Sequence, residues 1–145
     1  MTTISLPRRS LLLAAAAATL AAAPAPLTFA GLYGEVTADG IQLTPAAQAL
    51  VGRTVGLRGF MAPPLKAESD FFVLTRYPMS ICPFCSNAAD WPVDIVMVRL
   101  SEAAETIEPS YAIDVVGRLE HGMKVDQATG FVSLVRIVDA TWRRV

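Results

Sequence analysis

From Arg53 to Trp142 the chain is cut into short β-prone segments by proline, glycine and polar runs, and this punctuation constrains its fold more than any other feature. Arg53 to Met61 alternates, with Val55, Leu57 and Gly59 on one face, and Ala62-Pro-Pro64 stops it. Asp70 to Tyr77 is rich in aromatic and β-branched residues and ends at Pro78. Val93 to Leu100, Tyr111 to Leu119 and Phe131 to Trp142 continue the pattern. His121 to Gly130 reads as a turn between the last two. Five strands need a closed or doubly layered arrangement to protect their edges. The expected fold is all-β: a small five-stranded OB-like antiparallel barrel with one short N-terminal helix, or alternatively an open β-sandwich. Gly56, Gly59 and Gly117 suit the tight bends of such a barrel.

Upstream, residues 1–30 read as an export signal. Arg8-Arg9 precede Ser10-Leu-Leu-Leu13 and an alanine-rich run to Ala23, in the order basic, apolar, small. The paired arginines point to the twin-arginine type, although Leu11 stands where that motif usually has Phe. Cleavage after Ala23, Ala25 or Ala30 satisfies the small-residue rule. The run is too short and alanine-rich for a membrane anchor, so the processed protein is not expected to be an integral membrane protein. Residues 31–52 form a lead-in with a short strand near Tyr33–Val36 and a short helix. Thr44-Pro45 supplies the helix start, and Gly52 the stop. Residues 53–145 form the β-domain. The location implied is periplasmic.

Composition narrows the function classes. The formal net charge is −1, and losing Arg8 and Arg9 with the leader brings it to about −3. A slightly acidic domain of this kind is not built for nucleic acid, whose phosphates reward a basic face. There is no G-x-S-x-G, no glycine-rich phosphate loop and no H-E-x-x-H. With a single histidine, His121, a serine triad has no motif behind it. Asp94, Asp114 and Glu120 fall at loop or outward strand positions, so no paired-carboxylate site is expected.

The chemistry therefore concentrates on Cys82 and Cys85, the only cysteines, in Tyr77-Pro-Met-Ser-Ile-Cys-Pro-Phe-Cys-Ser86. Two thiolates at this spacing can share one soft ion, zinc or copper. Met79 extends the pattern to M-x-x-C-x-x-C, and a thioether favours Cu(I). In an antiparallel order the loops after the second and fourth strands emerge at one end, which brings His121 and Met123 toward the cysteine loop. Asp90 and Asp126 are further candidates. The expected metal ligands are Cys82, Cys85, Met79 and His121. A second reading is thiol–disulfide exchange, with Cys82 attacking and Cys85 resolving. C-P-F-C resembles the thioredoxin tetrapeptide, but Pro92 leaves no room for the long helix that fold requires. A third is a static disulfide bracing an interaction loop. Ser86 removes the C-x-x-C-H haem signal.

Arg58-Gly-Phe-Met-Ala-Pro-Pro64, Phe72-Val-Leu-Thr75, Cys82-Pro-Phe-Cys85 and Val116-Gly-Arg-Leu119, with Thr129-Gly-Phe131 behind, resemble a domain family of unknown function. Its members are small exported bacterial proteins found near transport systems. A G-[YF]-M-x-P strand, an F-x-L-[TV] strand and a cysteine-bearing loop recur in it. The resemblance spans Arg53 to Trp142 and implies an OB-like barrel and an exported location. It also implies a metal-associated accessory role beside a membrane transporter.

Overall fold

The structure, a computed structural model, describes residues 22–38, 40–63, 70–79, 93–102 and 107–145. Among the described residues it is all-β apart from two helices of one turn each. The elements are β1 (Ala25–Leu27), α1 (Phe29–Leu32), β2 (Tyr33–Thr37), β3 (Gly40–Leu43), α2 (Pro45–Gln48), β4 (Thr54–Met61), β5 (Phe71–Thr75), β6 (Ile95–Leu100), β7 (Ala112–Val125) and β8 (Val132–Arg144). The larger sheet has the order β1-β4-β5-β6-β8-β7, and β7 also pairs with β4.

Two of its pairings differ from an all-antiparallel order. β6 runs parallel to β8, and β1 parallel to β4. The first follows from the other pairings: β5 is antiparallel to both β4 and β6, and β7 to both β4 and β8, so β6 and β8 each run with β4 and meet as parallel neighbours.

Alternation decides which side chains go inward. β4 buries Val55, Leu57, Gly59 and Met61, while Thr54 and Arg58 face solvent. Val96 and Val98 of β6, Ile113, Val115 and Leu119 of β7, and Val135 and Ile137 of β8 join them in one core. Phe71, Val73, Ile95 and Met97 point the other way and form a second cluster, packed against Tyr33, Ile41 and Phe131. The β2–β3 hairpin thus covers the outer face of β5 and β6, and Tyr33 donates a hydrogen bond to the Ile95 carbonyl.

The N-terminal stretch is part of this packing. β1 pairs with β4 through Ala25, Pro26 and Leu27, and Leu27 and Phe29 are buried in the main core. Thr44 caps α2 as its sequence predicts: its Oγ1 accepts from Ala47 N at 3.1 Å, with Pro45 in the first turn. Gly52 follows with φ +83°, a conformation that costs glycine nothing.

The last two strands are longer than the sequence reading. β7 continues through Val125, so His121 lies in a strand and not in a turn. Lys124 pairs with Ser133 and Val125 with Val132. The register slips between His121 and Lys124, where Gly122 has φ +118°. A bulge between half-buried His121 and exposed Lys124 looks like a loop in composition but keeps its ladder.

Candidate functional site

The connection that carries the cysteines leaves β5 at Thr75 and returns at Ile95, which are paired. Its neck is tied in three ways. Thr75 Oγ1 donates to the carbonyl of Tyr77 at 2.7 Å and lies 3.2 Å from that of Phe60 as the alternative acceptor. Arg76 N donates to Asp94 O at 2.9 Å, and the two side chains form an ion pair at 3.6 Å. The Arg76 guanidinium also lies over the Tyr77 ring. Beyond the neck, Tyr77 and Met79 are exposed. Cys82, Cys85 and Asp90 lie outside the described residues.

His121 pairs with Val135 and follows Leu119 by two residues in β7, so it continues the inward-facing row to its open end. It is half-buried. Partial burial, helped by the Arg136 charge, lowers its pKa below the ordinary 6.5 and favours the neutral imidazole. A neutral imidazole has a lone pair to offer a metal. The pairings relate this residue to the cysteine connection. Met97, two residues after Ile95, pairs with Arg136, and Arg136 pairs with Glu120, the neighbour of His121. Met97 and Glu120 therefore stand two strand spacings apart, roughly 10 Å.

The other sequence candidates are less suited to a metal. Met123 is exposed at the bulge. Asp126 is committed: it accepts from Thr129 Oγ1 at 2.8 Å and Thr129 N at 3.0 Å, and pairs with Arg99. The bonds from Thr129, with that from Arg99, outweigh burial and hold its carboxyl below the usual range. Among the described residues no group of three or more His, Cys, Asp and Glu side chains could hold a metal ion.

Sequence reasoning missed a buried charge beside His121. Arg136 is 5 % exposed. Its Nε donates to Glu120 Oε2 at 3.3 Å, and its Nη1 to the carbonyls of Gly122 at 2.7 Å and Ser133 at 3.1 Å. Glu120 also accepts from Arg118 at 2.8 Å, and Arg118 reaches Asp139 at 2.9 Å. Burial raises the Glu120 pKa, but the bonds from Arg118 and Arg136 outweigh it and the net shift is downward. The signal was an arginine inside the apolar run Leu134-Val-Arg-Ile-Val138, where a strand position facing solvent was the default.

A solved structure shares this architecture: a DUF3299 family protein from Pseudomonas aeruginosa PAO1, with a TM-score of 0.55 and 16 % sequence identity, over 86 % of this chain and 97 % of that one. The likeness is one of fold. No protein-family model and no curated protein matches the chain. Among the described residues no helix is long and apolar enough to cross a membrane.

Proposed function

We propose that this protein is a periplasmic accessory that binds a soft metal ion, zinc or copper, and serves a membrane transport system. Cys82 and Cys85 would supply thiolates, with His121 or Met79 completing the set. The donor chemistry fits a soft or borderline ion, because two thiolates with an imidazole or thioether are the ligands such ions select. One observation carries this reading. Thr75 and Ile95, where the connection leaves and returns, are paired, and two residues on from Ile95 the ladder runs from Met97 through Arg136 to Glu120, the neighbour of His121.

The family reading and the OB-like barrel belong to the same proposal. The barrel is supported by the circuit of pairings from β4 through β5, β6, β8 and β7 back to β4. Membership of a family of small exported proteins is supported by the fold shared with a domain of unknown function. Export through the twin-arginine route rests on Arg8-Arg9 and the apolar run behind it. Of the three cleavage positions, the one after Ala23 keeps β1 with the rest of the sheet.

The test is to purify the protein from the periplasm without added metal and to measure bound metals and free thiols together. About one zinc or copper per chain, lost in Cys82→Ser and weakened in His121→Ala, supports the reading. Metal-free protein with a readily reduced Cys82–Cys85 disulfide would replace it with thiol–disulfide exchange. A disulfide that resists strong reductants would leave a structural brace.

A further inference from the structure

Arg136 is buried but not fully used. Its Nε and Nη1 have acceptors, whereas none of the described residues accepts from Nη2. The side chain lines a cleft of about 460 Å³ on the outer face of β6 and β8, closed at one end by the β7–β8 turn. Lys124 lines the same cleft and has no carboxylate within ion-pair distance among the described residues. Arg99, the third cation there, is taken up by Asp70 and Asp126. Among the described residues Asp126 is the only carboxylate in the lining; Arg99 pairs with it and Thr129 hydrogen-bonds to it. Met97 and Val125 add an apolar wall.

We propose that this cleft binds a small organic carboxylate, its head between Arg136 Nη2 and Lys124 and its apolar body against Met97 and Val125. A buried guanidinium with an open donor forms its strongest hydrogen bonds with an oxyanion. The cleft volume lies within the range of small-molecule sites. The apolar wall favours a ligand with a hydrocarbon part over a bare inorganic anion, which would leave the exposed Val125 side chain wet. Nothing in this site depends on a thiol or a metal, so it stands apart from the cysteine reading.

The experiment is an amide-resonance titration of the purified chain with hexanoate, acetate, hexanol and inorganic phosphate. Hexanoate is expected to give saturable shifts around Lys124, Ser133 and Arg136, acetate weaker ones, and hexanol none. Lys124→Ala should weaken hexanoate binding about fivefold or more while leaving thermal unfolding unchanged. Four results would each overturn the proposal: no saturable shift with hexanoate, equal hexanoate affinity in Lys124→Ala, hexanol binding as tightly as hexanoate, or phosphate doing so.

Discussion

Gly117 lies so close to Ile137 that a Cβ on the glycine would stand 2.6 Å from the Ile137 Cγ2 and 2.7 Å from the Val138 carbonyl oxygen. The contact joins β7 to β8 where the register between them slips. Backbone sits on one side of the clash, so side-chain rotation cannot relieve it. Gly117→Ala is expected to destabilise the protein by about 1–3 kcal/mol or more. Gly56→Ala, whose nearest neighbour would be Pro24 Cβ at 3.8 Å, is the control and should change little. Urea unfolding of both variants checks the contrast.

Removing the carboxylate that faces Arg136 should cost more than a surface ion pair does. Glu120→Gln leaves the buried guanidinium without its counter-charge, and about 1–3 kcal/mol is expected. Glu102→Gln, exposed and without an ion pair among the described residues, should fall within about 0.5 kcal/mol of the parent. Denaturant midpoints with a constant slope would check both.

Acid should weaken the fold in two stages. His121 has a folded pKa below 6.5, so the unfolded chain binds its proton more readily; its contribution is present above pH 6.5 and is lost as pH falls through the folded value. Asp114, Glu120 and Asp126 also have lowered values, and their contributions are lost on further acidification below the ordinary carboxylate range. His121→Asn should flatten the first stage only. Thermal midpoints between pH 8 and pH 3 would separate the two stages, both ends of that range being about 1–2 units outside the ordinary values.

Processing can be read directly by intact mass. A mature chain that begins at Pro24 is expected. A chain cut to begin at Gly31 loses Leu27 and Phe29 from the core and should be destabilised by about 4 kcal/mol or more. Its thermal unfolding against that of the Pro24 form checks the contribution of β1 and α1.

The sequence was most readable where burial and local pattern agree. β4, β5 and β6 stand close to their expected bounds, because alternation and the flanking prolines act within a few residues. β1 and α1 were hidden by composition: alanine and proline before Leu27 look like the tail of a leader. The end of β7 was hidden by its exposure, since a solvated bulge has no hydrophobic period to betray it. The parallel neighbours β6 and β8 are a tertiary choice that neither strand encodes. At the candidate site, residue type alone drew attention to His121. The burial of Arg136 depends on carbonyls at Gly122 and Ser133 that only the folded backbone brings together.

β4 takes neighbours from distant parts of the chain: β1 before it, β5 after it, and β7 through pairs as far as Thr54 with Arg118. A growing polypeptide therefore cannot finish this strand's ladders until Arg118 and the residues before it have left the ribosome. Joining segments so far apart carries an entropic toll before any contact repays it, which places this protein among slow folders. Until then β4 presents an unpaired edge, and the nascent chain is at its most vulnerable to aggregation and proteolysis.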